Sequence, residues 1–201
     1  MVTILYIIHT IMLSNYRIIL GSKSPRRREL LGGLDLPFEV RDIAGVEEDY
    51  PAELPGTMVP LFLSCKKAAA FRPNLAADEL LITADTIVWI DGHVLGKPAG
   101  AEEAVAMLRQ LSGRTHEVIT GVCLATDSKQ RAFSTTTRVR FAELTDDEIN
   151  YYVAKYRPFD KAGSYGIQEW IGYVGVEAID GSFYNVMGLP VQRLFQELKL
   201  F

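Results

Sequence analysis

Apolar positions change period along the chain, and each change marks an element. Ile18-Ile19-Leu20 is a short apolar run ending at Gly21, followed by Ser24-Pro25 and then Arg26 to Leu31. This predicts a strand, a tight loop and a helix capped by Ser24, with Pro25 in the first turn and Gly32-Gly33 closing the end. Phe38 to Asp42 predicts a second strand. The acidic, Pro- and Gly-bearing stretch from Ala44 to Gly56 reads as a long loop, of the kind that often carries function. Leu61 to Phe71 predicts a helix. Leu80 to Ala84 predicts a strand that breaks at Asp85-Thr86 and resumes over Ile87 to Ile90, after which Asp91-Gly92 turns the chain into an antiparallel His93-Val94-Leu95.

Ala104, Val105, Leu108 and Leu111 recur at helical spacing before Gly113. Glu117 to Ala125 and Ala132 to Leu144 are β-rich runs around a polar link, which predicts a hairpin. Thr145 caps a helix with Ile149, Tyr152, Val153 and Tyr156 on one face, and a last helix after Pro190 aligns Val191, Leu194, Phe195 and Leu198. The Gly-rich span from Gly163 to Gly188 reads as irregular strands and loops. Helices interleaved with partly hairpin-connected strands predict an α/β domain, a mixed sheet flanked by helices rather than a purely parallel doubly wound one.

Composition narrows this little but usefully. The chain has 201 residues, 48% hydrophobic and 23% charged, enough for one domain over residues 16–201 that needs no staple. Val2 to Leu13 is apolar but too short to span a bilayer, and it lacks a basic start and a cleavage site. With Met12 standing just before the first strand, residues 1–15 read as an N-terminal extension and Met12 as the natural start. Twenty-one basic against 25 acidic residues give a net charge of -4, which disfavours nucleic acid or an anionic membrane as partner. Cys65 and Cys123 lie far apart with no ligand spacing, consistent with a reducing, cytoplasmic setting.

Several segments carry chemistry, each with a plainer alternative. Ser22-Lys23-Ser24-Pro25-Arg26-Arg27-Arg28 stands at a strand-to-helix join, where free N–H groups and the helix dipole favour an anion; a solvated basic helix face would look the same. Asp85 at a strand end can bind a cation or take a proton from water, although Asp-Thr is also a turn former. Glu47-Glu48 could converge with Asp85 on Mg²⁺, or be a solvated charge run. Lys67 and Lys97 are single positive charges, and His116 has no second His or Cys near it with which to hold a metal. Gln168 offers donor and acceptor together, which suits reading the edge of a base.

The ordered set Ser22-Lys23-Ser24-Pro25-Arg26-Arg27, Ala84-Asp85-Thr86, Gly96-Lys97-Pro98, Ser112-Gly113-Arg114-Thr115-His116 and Asp160 to Gln168 resembles the Maf family of nucleotide pyrophosphatases, related in fold to inosine-triphosphate pyrophosphatases. The resemblance runs from about Ile18 to Leu198. It implies hydrolysis of a nucleoside triphosphate between its α and β phosphates with a divalent cation, Mg²⁺ or Mn²⁺. It further implies Asp85 as proton acceptor and Arg26, Thr86 and Gln168 as specificity positions. Phosphate contacts would fall on Ser22, Ser24, Arg27, Lys67 and Lys97, the metal on Glu48 and Asp85, and the assembly would be a homodimer. The Lys-Ala-Gly-Ser-Tyr-Gly-Ile-Gln segment resembles the branch acting on dTTP and UTP. Leu63-Ser64-Cys65-Lys66-Lys67 departs from the commoner Leu-Ala-x-x-Lys-Ala helix and offers two adjacent lysines.

A second reading is a nucleotide-binding regulator linked to cell division without turnover. Retention of Asp85 favours the enzyme, since a pure binder does not need it.

Overall fold

In a computed structural model the chain is described over residues 16–43 and 45–201. The expected extension 1–15 and the start at Met12 lie outside the described residues. Strand β1 (Arg17–Gly21) is apolar at consecutive positions because it is buried on both faces, lying between two parallel neighbours, β2 (Phe38–Arg41) and β3 (Glu79–Ile90). The sheet then turns antiparallel through β5 (Thr115–Ala125), β6 (Gln130–Phe141) and the edge strand β7 (Val176–Asp180), while β4 (His93–Leu95) pairs back onto β3. The order β2-β1-β3-β5-β6-β7 is the expected mixed sheet.

Seven helices cover it: α1 (Pro25–Gly32), α2 (Val59–Phe71), α3 (Ala101–Leu111), α4 (Asp146–Tyr156), α5 (Trp170–Gly175), α6 (Phe183–Met187) and α7 (Val191–Lys199) among the described residues. Strand alternation divides the core. Ile18, Leu20, Leu80, Ile82, Val118 and Val122 face one side, where Leu30, Leu31, Leu108, Leu111, Leu194 and Leu198 of the helices pack. Ile19, Leu81, Ile87, Ile119 and Cys123 face the other, covered by Val59, Leu63 and Ala68 of α2. Helix α2 approaches β5 so closely that a Cβ on Gly121 would stand 2.3 Å from the Leu61 amide nitrogen. Glycine is required there for space alone.

Local chemistry worked where it was expected to. Ser24 caps α1 with its Oγ accepting from the Arg27 N–H (3.4 Å) and Pro25 opens the helix. Asp91 and Gly92 turn with φ of 53° and 80°, the left-handed pair of a tight hairpin. Thr145 and Glu148 form a reciprocal capping box at α4.

Three expectations need correction. Strand β3 does not break at Asp85-Thr86 but runs through, with Asp85 opposite Gly121 and Thr86 opposite Thr120 on β5. Partners remote in sequence satisfy both polar side chains, so the strand need not end to expose them. The span from Gly163 to Gly188 is not merely irregular, because it holds α5, β7 and α6. Strand β6 ends at Phe141, after a register shift at Arg140/Phe141, rather than reaching Leu144.

The sheet forks at β3. On the side away from β5, β1 accompanies β3 only as far as Ile82 and β4 joins only at Val88. Among the described residues no strand lies beside residues 83–87 there. This opening positions the site.

Candidate functional site

A cavity of about 540 Å³ fills the fork, a volume suited to a nucleotide-sized molecule. Its walls come from the β1–α1 loop, the 42–48 loop, α2, mid-β3, the segment after β4, and the 160–168 and 186–188 segments. Lys23, Arg26, Arg27, Lys67, Lys97 and Lys161 line it against Asp42, Glu48, Asp85 and Asp160. Six basic groups to four acidic ones make this pocket electropositive in a chain whose net charge is -4. Anions are drawn to such a place.

Alternation on β3 sends Asp85 toward α2 and Thr86 to the opposite face, yet both line the one cavity because the fork opens both faces to it. Asp85 is 8% exposed, and its Oδ1 accepts from Lys67 Nζ at 2.6 Å. The same ammonium donates to Glu48 Oε1 at 2.8 Å, and Lys97 Nζ reaches Glu48 Oε2 at 3.5 Å. Burial pushes the Glu48 carboxyl upward, but the hydrogen bonds and charges of Lys67 and Lys97 outweigh it and hold it below its usual value. The two adjacent lysines separate cleanly: Lys66 turns outward to Asp49, whereas Lys67 takes the inner pair.

Arg27 forms part of the cavity wall. Its Nη1 donates to the Ala84 carbonyl (2.8 Å), its Nη2 to Thr86 Oγ1 (3.1 Å) and its Nε to the Gly188 carbonyl (2.8 Å). The guanidinium thus takes the place of the missing strand at Ala84, tying α1, β3 and Gly188 together. Burial pulls it below its usual value, against the pull of Asp85. Thr86 Oγ1 also shares a hydrogen bond with Thr120 Oγ1 (2.9 Å). Ser22 Oγ accepts from the Ser24 N–H (3.2 Å), so that loop is held by its own hydroxyls at the mouth of α1.

Across the cavity Arg26 Nη1 donates to Asp160 Oδ2 at 2.8 Å. Lys161, 8% exposed, pairs with Asp160 Oδ1 (2.8 Å) and Glu169 Oε1 (3.1 Å). Burial raises Asp160, but Lys161 and Arg26 together bring it down to about 2. Gln168 lines the cavity beside them, with a buried Oε1 that has no hydrogen-bond partner among the described residues. Ser22, Ser24, Arg26, Arg27, Glu48, Lys67, Asp85, Thr86, Lys97 and Gln168 therefore border one space, whereas Glu47, expected to converge there with Glu48, does not line it.

His116 stands apart from them. Its Nε2 bonds the Tyr165 hydroxyl at 2.7 Å, and its ring meets Phe141 and Tyr165 edge-on. Burial pushes it down to about 4. Sequence reasoning missed Lys161, Glu169 and Tyr152, whose hydroxyl donates to Glu169 Oε2. The only signal was a lysine and a glutamate close to Gln168.

A divalent cation has a chemically suitable place. Glu48 and Asp85 converge on one ammonium, so their oxygens already flank a positive charge, and oxygen donors suit a hard ion. Among the described residues no group of three or more His, Cys, Asp or Glu side chains could hold a metal, so two carboxylates are the set available. That number suits Mg²⁺, which keeps waters and takes its remaining ligands from substrate phosphates. No helix among the described residues is long and apolar enough to cross a membrane.

The family model described as Maf-like protein matches residues 17–201. A Phocaeicola vulgatus protein named dTTP/UTP pyrophosphatase is 60% identical over 187 residues, covering 93% of this chain and 97% of its own. A Parabacteroides distasonis protein of the same name is 61% identical over 189 residues, covering 94% and 98%. A third, from Porphyromonas gingivalis, is 58% identical over 191 residues, covering 94% and 96%. Among solved structures, the Staphylococcus aureus Ham1 protein superposes with a TM-score of 0.54 at 16% identity, over 90% of this chain and 97% of that one. A HAM1 protein from Coxiella burnetii gives 0.52 at 15%, over 92% and 100%. At such low identity these two speak to the fold alone.

Proposed function

The chain belongs to the Maf-like protein family, and on that premise we propose that it hydrolyses nucleoside triphosphates, dTTP and UTP foremost, to the monophosphate and pyrophosphate. The observation that carries this reading is the fork itself. It brings a nearly buried carboxylate, Asp85, to face an electropositive cavity of nucleotide size.

A triphosphate carries about four negative charges that must be neutralised before water can approach its α phosphorus. This reading gives that task to Lys67, Lys97 and the N–H groups at the mouth of α1, which line the cavity. Arg27, spent on Ala84, Thr86 and Gly188, acts as a brace and contributes its charge from the cavity wall. Asp85 then orients the attacking water and takes its proton at a carboxylate oxygen. Its other task, with Glu48, is to hold a divalent cation, which would supply charge stabilisation for the departing pyrophosphate. For either task Lys67 must leave Asp85, and the incoming phosphates offer it a better partner. Arg26 and Gln168 across the cavity, with Thr86 on β3, are assigned to the base and sugar. The compartment that fits this reading is the cytoplasm, where both cysteines stay free, and the assembly is a homodimer, which light scattering on the purified protein would test.

The deciding experiment incubates the protein with Mg²⁺ and a panel of dTTP, UTP, CTP, GTP and ITP, resolving monophosphate and pyrophosphate from diphosphate and phosphate. Pyrophosphate from dTTP and UTP is the expected product. Orthophosphate release would place the cut at the wrong bond, and tight binding without product would favour the regulator.

A further inference from the structure

We propose that Cys65 and Cys123 are a redox pair which a hydroperoxide closes to a disulfide, a reversible modification that fastens α2 to β5. The modification is independent of what the cavity binds.

These are the chain's only cysteines, and both are free thiols. The packing of α2 on β5 sets them face to face. The face of β5 toward α2 carries Gly121, Cys123 and Ala125 at alternate positions. The face of α2 toward the sheet carries Leu61, Ser64, Cys65 and Ala68 at helical spacing. The two series run nearly in step, because a helical turn advances about 5.4 Å and two strand residues about 6.8 Å. Small side chains on both surfaces let them come close. A Cβ on Gly121 would stand 2.4 Å from Leu61 Cα, and the Ser64 carbonyl accepts from Thr83 Oγ1 at 2.7 Å. Thr83 is the partner directly opposite Cys123 in the pairing of β3 with β5. Cys65, next to Ser64 and one turn beyond Leu61, therefore comes down on Cys123 and packs in one apolar cluster with it, Ala68 and Ala125. A disulfide depends on such an approach, with Cα atoms within about 7 Å.

The two thiols differ in access and in acidity. Cys65 is half-buried, whereas Cys123 is sealed from solvent. The Cys123 thiol donates to the Cys65 sulfur and, with Ser64 and Gln130 and against burial, holds Cys65 below its ordinary value. That same bond, together with burial, raises Cys123. Cys65 is thus the thiolate that meets the oxidant, and Cys123 the thiol that resolves the product.

In the first step the Cys65 thiolate attacks the outer oxygen of the hydroperoxide. The O–O bond breaks, the alkoxide leaves and takes up a proton, and Cys65 becomes a sulfenic acid. In the second, the Cys123 sulfur attacks the Cys65 sulfur and the S–O bond breaks, the Cys123 proton leaving with the hydroxide as water. Two thiols lose two electrons and two protons, and the hydroperoxide that accepts them ends as an alcohol and water. Lys67 stands two residues beyond Cys65, so the helix fastened in this way is the one that presents the ammonium between Glu48 and Asp85.

The test exposes the full chain to a small excess of hydrogen peroxide, quenches with catalase, alkylates in urea and maps the peptides by mass. The expected result is the joint loss of both alkylatable thiols, from two per chain to none, with a Cys65–Cys123 linked peptide from a chain that migrates as a monomer on a non-reducing gel. Dithiothreitol should restore both. In Cys123→Ser, oxidation should stop at a Cys65 sulfenic acid that dimedone traps, and in Cys65→Ser the sealed Cys123 should stay alkylatable after the same treatment. Three results each overturn the proposal: Cys65 driven to sulfinic acid while Cys123 remains a thiol, a disulfide between chains, or both thiols surviving a treatment that oxidises glutathione in the same solution. The wild-type mapping decides the matter should either variant not fold.

Discussion

Mild acid should weaken this fold through one residue, His116. The imidazole is 2% exposed, bonded through Nε2 to Tyr165, with Nδ1 buried and unpartnered among the described residues. Burial moves it from 6.5 in the unfolded chain to about 4 in the folded one. Between these values the unfolded chain binds a proton that the folded chain refuses, so stability is full above 6.5 and declines as pH falls toward 4. At ~1.4 kcal/mol per pH unit the loss reaches ~2 kcal/mol near pH ~5 and ~3 kcal/mol near pH ~4, a large share of a typical total. The assay is urea unfolding followed by circular dichroism, from about pH 7 down to about pH 5, for the wild type and His116→Gln, whose amide bonds Tyr165 without titrating. Glu79 and Asp160, both brought down to about 2, lose their contribution only as pH falls below their ordinary values of 4.5 and 3.8, outside that window. His93 is exposed and common to both proteins. The stability difference between the two proteins should therefore change by ~2 kcal/mol in favour of the variant. Parallel curves would refute the argument.

Asp85→Asn should lower turnover by at least ~100-fold with an unaltered far-ultraviolet spectrum; a variant that keeps wild-type rates removes Asp85 from the reaction. Lys67→Met, which withdraws the ammonium from between Glu48 and Asp85, should tighten Mn²⁺ binding in the absence of nucleotide by at least ~10-fold. Electron paramagnetic resonance of free Mn²⁺ reads this directly, and an unchanged Kd would mean that the metal binds elsewhere. Gly121→Ala drives a methyl into the Leu61 backbone and should cost ~2 kcal/mol or more in urea unfolding; a neutral result would mean that α2 leaves room for a methyl beside β5.

What the sequence discloses is what neighbouring residues decide among themselves. Ser24 and Pro25 begin α1, Asp91-Gly92 turns β3 into β4, and Thr145 with Glu148 starts α4, each by bonds spanning a few residues. Asp85 misled for the opposite reason. A charged residue in an apolar run resembles a strand end when its partner, Lys67, is eighteen positions away on a helix that also has to clear Gly121. The residues that line the cavity were legible as motifs, but not their division between the two faces of β3. The chain from Arg26 through Asp160, Lys161 and Glu169 to Tyr152 was not legible at all, because its first link spans 134 positions. Nor could spacing reveal that Arg27 serves the sheet while Arg26 faces the cavity.

The fork makes the crevice by omission. Nothing is hollowed out of the core, because β1 simply stops at Gly21, short of the register that would carry it alongside Ala84. The residues that stop it, the Ser22–Ser24 loop and Pro25, thus act as a spacer whose length matters more than its composition. A deletion there would drag α1 and its Arg27 brace out of register, while an insertion of strand-forming residues would let β1 run on and seal the gap. Tolerance to insertion should accordingly be lowest at these three residues of the cavity wall, and far higher in the polar link between β5 and β6 at the remote end of the sheet.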